Sequence, residues 1–344
     1  MLALQKVEDS AGLALRDVSP PADPGPGEVL IDVVATGICG SDLAIFDWEA
    51  SYRAFMGTHL PVTLGHETSG KVSAVGPGVD KSWIGRSVVV NPQVACGECA
   101  SCRAGDPVGC MNRQAVGMVT NGAFAKQFIA PVDACFALPE GLSVELAALV
   151  EPLTTGAYAL ELAAFKPGDR VIVFGPGPIG QGAAALAMAF GASDVAVVGL
   201  RDTRRLETLR AAGIDQLFDM AEDGAAQRLE GAKKGGFDIA IDATGVAPVI
   251  NQALDALRPQ GVLAIVGMSA APAQVDVLKI VKNRLRICGV SRMPPSVYPK
   301  VIEALAANPA RFQPLITHRL PLADALEGFR LSRTGEASKV LLFP

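Results

Sequence analysis

Val171-Ile-Val-Phe174-Gly175-Pro-Gly177-Pro178-Ile179-Gly180 is the stretch that decides the fold. Four consecutive apolar residues read as a strand buried on both faces. The run leads straight into G-x-G-x-x-G and then an alanine-rich helical stretch ending near Gly191. A glycine-rich turn alone says little. Between a buried strand and a long helix, it marks a turn whose backbone can approach a pyrophosphate, with the free N–H groups and dipole of the helix N-terminus facing the phosphates. Gly175, Gly177, Pro178, Ile179 and Gly180 are therefore the first candidate cofactor-binding residues.

Working outward, apolar runs alternate with amphipathic helical segments from Arg170 onward. Val171–Phe174, Val195–Val198, Gln216–Phe218, Asp238–Ile241, Val262–Val266 and Arg286–Val290 are expected to form one six-stranded, doubly wound parallel sheet, so this part is α/β. The first part of the chain reads differently, as short strands punctuated by Gly and Pro: Glu28–Val34, Lys71–Val75, Ser87–Val90 and Phe124–Ile129. Around Glu145–Phe165 the pattern turns helical. The division expected is a β-rich domain from 1–152 and 291–344, the C-terminal segment returning to it, and a nucleotide-binding domain from 153–290.

Bulk properties narrow the class. The chain has 344 residues, enough for about two domains, of which 50% are hydrophobic and 19% charged, with a net charge of −5. This balance supports packed cores and offers no basic footprint for nucleic acid or an anionic membrane. No stretch approaches the roughly 20 apolar residues of a membrane span, and Met1–Asp9 lacks the pattern of a signal peptide. Seven cysteines, four of them in a metal pattern, fit a reducing cytoplasm.

Those four are Cys96, Cys99, Cys102 and Cys110, spaced C-x2-C-x2-C-x7-C. Four thiolates from one short loop can close a tetrahedral shell around zinc, and a shell filled by protein ligands leaves no position for substrate. The lobe, about residues 91–113, is expected to carry a structural zinc. Disulfides fit the spacing, but nothing else marks the chain as secreted, and a redox C-x-x-C has no need of the third and fourth cysteines.

The second strand of the nucleotide fold ends at Val198-Gly199-Leu200, where a carboxylate at the tip would bind the ribose hydroxyls of NAD. Gly199 is small, and Arg201 follows with Arg204 and Arg205 close behind. Guanidinium groups there pair with a 2′-phosphate, which favours NADP over NAD. Asp202 pulls the other way, and a solvated, charged helix start is the plain alternative.

Three further residues stand in separate turns: Cys39 in Gly37-Ile-Cys39-Gly-Ser41-Asp42, His66 in Gly65-His66-Glu67, and Glu151 in Glu151-Pro-Leu153. A thiolate, an imidazole and a carboxylate suit a catalytic zinc with an open position. Singly, each has an ordinary reading as a core cysteine, a hydrogen-bonded histidine and a helix-start glutamate. Spacing alone does not assemble them.

Taken together, G-I-C-G-S-D, G-H-E, the four-cysteine lobe, E-P-L, G-P-G-P-I-G and Asp242-Ala-Thr-Gly245 occur in an order that resembles the zinc-containing medium-chain dehydrogenase/reductase family over essentially the whole chain. Phe46–Glu49 and Pro314–Arg319 look most like its sorbitol and threonine dehydrogenase branch. The resemblance implies a GroES-like catalytic domain joined to a Rossmann domain, two zinc ions per chain, and an NAD(P)-linked alcohol dehydrogenase. By the same resemblance Cys39, His66 and Glu151 hold catalytic zinc, with Glu67 an alternate ligand or one step behind. Ser41 receives the alcohol proton and Asp42 orients His66. Thr244, Gly245, Val266 and Gly267 join Gly199, Arg201 and Arg205 in the cofactor set. The family forms dimers and tetramers, often by pairing Rossmann sheet edges, for which Val262–Val266 and Arg286–Val290 are the candidates.

Two departures bear on substrate. Threonine dehydrogenases carry His where Ala44 stands, and E-T-H where Val90-Asn91-Pro92 stands. A secondary alcohol of a polyol or sugar-like compound is therefore expected, with an L-threonine 3-dehydrogenase-like activity as the alternative. A non-catalytic, zinc-stabilised nucleotide-binding protein is the reading from another class. Trp48, Tyr52, Phe55 and Met56 are candidate pocket walls, His59 a surface residue and His318 a structural one.

Overall fold

The structure is a computed structural model and describes residues 1–269 and 271–344. It forms two compact units, one made of Met1–Glu151, Pro294–Ala306 and Ile316–Pro344, the other of Pro152–Met293 and Ala307–Leu315. Ala307–Leu315 goes with the second unit, where Arg311 Nη1 donates to Ala212 O at 3.0 Å.

In the second unit the six strands are Arg170–Phe174, Asp194–Gly199, Gln216–Asp219, Phe237–Asp242, Leu257–Ile265 and Arg286–Gly289. All pair in parallel, and in chain order they lie 3-2-1-4-5-6. The order reverses between the first and fourth strands, the place where such sheets bind ligands beyond the strand carboxyl ends. Ile172, Phe174, Ala196, Val198, Ala240 and Leu263 are fully or nearly fully buried in the core, as the unbroken apolar runs require. Helices Val150–Leu162 and Pro178–Ala189 meet at Gly156, where a Cβ would lie 2.7 Å from Ala183 Cα. Leu257–Ile265 is paired on both sides, so Val262–Val266 supplies no free edge, and Arg286–Gly289 is the edge strand on that side.

The first unit is built on a seven-stranded sheet around Glu28–Gly37, which pairs antiparallel with Glu67–Val75, Gln127–Pro131 and Lys339–Phe343. Ser87–Val90, Cys135–Ala137 and Ile316–Pro321 complete it. A three-stranded sheet of Ala14–Asp17, Leu2–Lys6 and Val62–Thr63 stands apart. Glu28–Gly37 begins with alternating burial, placing Val29 and Ile31 in the core, and ends with Ala35, Thr36 and Gly37 all buried. Its register with Glu67–Val75 slips twice, at Leu30/Ile31 and Val33/Ala35. Such bulges bend a strand and re-aim its side chains, and both strands run into the turns that carry Cys39 and His66. Phe124 begins no strand. It is held by backbone bonds to Leu4 and Leu64, and the strand starts at Gln127. No described helix is long and apolar enough to cross a membrane.

Candidate active site and metal centres

The four-cysteine lobe is framed by the short hairpin Gln93–Val94 and Gln114–Ala115. The four sulfur atoms lie within 4.8 Å of one another. Cys99–Cys102, Cys96–Cys110 and Cys96–Cys102 are separated by 3.4, 3.6 and 3.9 Å. A tetrahedron with zinc–sulfur bonds of about 2.3 Å has an edge of about 3.8 Å, so the donors present fit zinc. No disulfide is formed among the described cysteines. Cys96 N–H donates to Cys110 Sγ at 3.4 Å, and the Cys99 and Cys110 thiols are held below the ordinary range, first of all by backbone N–H donors. Arg113 ties the lobe shut, bonding Cys110 O at 3.1 and 3.0 Å and Gln93 Oε1 at 2.8 Å. Sequence reasoning passed over Arg113, whose reach back across the lobe has no local signature.

The second cluster of the same unit is assembled at the ends of its central strands. Cys39 caps the helix Gly40–Asp47, and Asp42 Oδ2 accepts the Cys39 N–H at 2.9 Å. Asp42 Oδ1 stands 3.6 Å behind His66 Nδ1. His66 Nε2 lies 3.2 Å from Ser41 Oγ, and the Cys39 thiol is within hydrogen-bonding reach of the same imidazole. The Tyr52 hydroxyl stands near this group, and burial, with the charges of Cys39 and Asp42 adding, pushes its pKa up to about 12. Glu151, buried at the start of Val150–Leu162, is close enough to His66 for each to shift the other.

The electrostatics are those of a cation site. Burial pushes Asp42 up to about 6 and also raises Glu151, with His66 opposing in both cases. Burial acts to lower His66, but Asp42, Cys39 and Glu151 outweigh it and hold the imidazole well above its usual value. Glu67 is 1% exposed and paired with Lys339, itself buried. His66 Nδ1 and Asp42 Oδ1 have no hydrogen-bond partner. A thiol, an imidazole and carboxylates gathered out of water around such atoms are a donor set that fits zinc. The set is looser than the cysteine lobe. Among the described residues only the four cysteines draw three or more such ligand atoms within 4.8 Å of one another.

Of the candidate walls, Tyr52 is the one on whose hydroxyl the charges of Cys39 and Asp42 act. Trp48 and Met56 are buried in the core with Leu4, Leu64 and Phe329, and Phe55 is exposed. Trp48 is held there by its indole N–H, which donates to Asp9, and by Lys6 over its ring. His59 is exposed, and His318 Nδ1 lies 3.0 Å from Thr317 Oγ1.

In the second unit, Gly177 caps the helix Pro178–Ala189, with Pro178 in its first turn. A Cβ on Gly177 would meet nothing within 4 Å, whereas one on Gly180 would lie 1.9 Å from Gly175 O. The loop is thus closed on its protein side and open where a pyrophosphate would lie. Thr244 abuts Gly175, and its hydroxyl donates to Asp242 Oδ1 at 2.6 Å. Val266 and Gly267 N–H groups donate to Asp242 O at 2.8 and 2.9 Å, bringing Gly267 against Gly245. These loops lie side by side where the strand order reverses; Gly180 is buried, while Gly175, Gly177, Thr244, Gly245, Val266 and Gly267 are half-buried.

The tip of the second strand has an organiser that sequence reasoning missed. Asp219 accepts from Arg201 N–H at 2.7 Å, Asp202 N–H at 3.0 Å, Ala221 N–H at 3.0 Å and the Thr203 hydroxyl at 3.2 Å. Burial works to raise this carboxyl, but those donors together hold it below the usual range. Arg201 is exposed, in a left-handed conformation at φ 59°. Arg205 faces inward and pairs with Asp202 at 3.4 Å. Gly199 has a packing reason to be small, since a Cβ there would lie 2.9 Å from Pro176 Cγ.

Comparison with known proteins agrees with both halves. Residues 25–140 match the alcohol dehydrogenase GroES-like domain and 178–307 the zinc-binding dehydrogenase domain. A sorbitol dehydrogenase of Halalkalibacterium halodurans is 32% identical, over 100% of this chain and 99% of its own. An L-threonine 3-dehydrogenase of Stenotrophomonas maltophilia is 33% identical, over 99% of each. Among solved structures, an Escherichia coli alcohol dehydrogenase complexed with NADH superposes with a TM-score of 0.88 at 27% identity, over 100% of this chain and 99% of that one. A Sinorhizobium meliloti zinc-binding dehydrogenase bound to NADP does so with 0.86 at 27% identity and the same coverage. The chain belongs to the zinc-type medium-chain alcohol dehydrogenase family, in its sorbitol and threonine dehydrogenase branch.

Proposed function

We propose that this dehydrogenase oxidises the secondary alcohol of a polyol or sugar-like compound to a ketone, reversibly, with NADP(H) preferred to NAD(H). The observation that carries the reading is the convergence of half-buried Cys39 and Ser41 on buried Asp42 and His66, with Glu151 close by. Cys39, His66 and Glu151 would hold the catalytic zinc, and the four cysteines a second, structural one. Bound there, zinc supplies Lewis-acid polarisation of the substrate hydroxyl. Asp42, its carboxylate 3.6 Å behind Nδ1, would orient the imidazole by charge. Ser41 takes the hydroxyl proton while the carbinol carbon gives its hydride to the nicotinamide, leaving a ketone and the reduced cofactor.

The polyol reading is supported by Ala44, which removes the histidine that threonine dehydrogenases carry, and by the sorbitol dehydrogenase relative. L-Threonine remains the second reading, on the threonine dehydrogenase relatives. Arg201, exposed on a loop pinned by Asp219, supports NADP(H). Arg205 is committed to Asp202 and supports it less. The chain is proposed to act in the cytoplasm, consistent with its free thiols, and as a dimer or tetramer. Exposed Val277, Leu278 and Val281 beside the edge strand Arg286–Gly289 support the assembly.

The test crosses NAD⁺ and NADP⁺ with polyols, simple secondary alcohols and L-threonine, following reduced-nicotinamide absorbance. Polyol turnover favouring NADP⁺, with the preference cut by Arg201→Ala, is the expected result. Efficient turnover of L-threonine alone, or higher efficiency with NAD⁺, overturns the corresponding half.

A further inference from the structure

Lys339 opens the last strand of the first unit, and its side chain runs inward. Its Nζ lies 2.8 and 2.6 Å from the two Glu67 carboxylate oxygens and 3.1 Å from Ile38 O. The side chains are 4% and 1% exposed. A buried ion pair costs desolvation on both sides and survives where its hydrogen bonds are complete. Here all three ammonium N–H groups have acceptors. The chain also makes room for the carboxylate, since a Cβ on Gly37 would lie 2.1 Å from Glu67 Oε2.

This clamp grips the immediate neighbours of two candidate ligands. Glu67 follows His66, and Ile38 precedes Cys39. Glu67 is itself an oxygen donor of the kind zinc accepts, and two carboxylates so near one metal would compete for it. Resting on the reading of Cys39, His66 and Glu151 as zinc ligands, we propose that Lys339 is a positioning residue that engages both Glu67 oxygens, keeps that carboxylate off the metal, and so fixes the ligand set. Without the ammonium, the Glu67 carboxylate would be free to turn toward a metal held by its neighbour His66.

The experiment replaces zinc by cobalt(II) in the whole protein and compares wild type with Lys339→Met, Lys339→Arg, Glu67→Gln and the Lys339→Met/Glu67→Gln double variant. Metal per chain, the visible cobalt spectrum and the rate of metal loss to a chelator are read. Wild type should hold two cobalt ions. Lys339→Met should shift the cobalt bands and slow loss of one ion by roughly tenfold, the size of effect that residues behind metal ligands exert. Lys339→Arg and the double variant should both look like wild type. Glu67→Gln alone should leave the spectrum unmoved, and a shift there overturns the proposal even where Lys339→Met does not fold. A shifted spectrum in Glu67→Gln, or none in folded Lys339→Met, overturns the role of Lys339 and leaves the zinc site standing. Uptake of one cobalt by wild type overturns the zinc site, and the proposal with it.

Discussion

Asp219 Oδ1 accepts the backbone N–H of Arg201 at 2.7 Å, joining the end of the third Rossmann strand to the loop beyond the second. Three more donors from that neighbourhood converge on the same carboxylate. The loop thereby holds Arg201 in its left-handed conformation, out in solvent where the adenosine ribose is proposed to bind. Asp219→Ala should loosen the loop and raise KM for the nicotinamide cofactor roughly tenfold, while kcat at saturating cofactor changes little. Steady-state kinetics with varied cofactor measures this. An unchanged cofactor KM would show that the loop is held by other means.

The same carboxylate carries a pH signature. Its pKa in the folded protein lies below the usual carboxylate value of about 3.9. Its charge therefore contributes stability in full above that value, and the contribution is lost as pH falls through the folded pKa. Asp219→Asn keeps an acceptor and removes the titration. Urea unfolding of both proteins from about pH 5 to pH 3 should show the wild-type advantage shrinking with acid. An advantage that stays constant would mean the charge adds nothing.

What the chain displayed openly was whatever is local. Val171–Phe174 and the strands like it are unbroken apolar runs, so their burial on both faces is legible without a structure. The cysteine spacing is equally local, because one loop supplies the whole shell. The cluster around His66 is different: Cys39, His66 and Glu151 come from three turns, and only the resemblance to a family joins them in the sequence. Lys339 was illegible. A lysine heading Val340-Leu-Leu-Phe343 looks like a solvated strand end, and only pairing with Glu28–Gly37, some three hundred residues away, turns it inward. Asp219 hid in the same way, as a strand-end aspartate whose partners follow another strand. Gly199 carries two readings at once, since Pro176 explains its size as well as a phosphate does.

Arg113 is the third test. It closes the cysteine lobe through backbone carbonyls and Gln93. Arg113→Ala should leave the ligands in place but weaken their hold, costing roughly tenfold in affinity for the structural metal. Dialysis against a graded chelator, with metal per chain counted by elemental analysis, should show one zinc leaving earlier than in wild type and the other keeping its place. Loss of both zincs in equal proportion would mean that the two centres are not independent.

The remaining prediction concerns the proton. Ser41 Oγ lies 3.2 Å from His66 Nε2 with the Tyr52 hydroxyl nearby, while Ala44 offers no group that can carry a proton. A serine can take the alcohol proton only by passing on its own, and Tyr52, which would have to release its own proton onward in turn, is tested as the next link. Ser41→Ala should therefore lower kcat and kcat/KM together by about 10²–10⁴, the range lost with a general acid–base group, with both metals retained. Tyr52→Phe keeps the ring and removes one link, so its loss should be smaller. It should lie in kcat rather than in cofactor KM, because the chain beyond Ser41 is cut while the nucleotide loops are untouched. A Ser41→Ala enzyme with full kcat and two zincs would show that the proton leaves by another route, and an equal loss in both variants would make Tyr52 the obligatory next carrier.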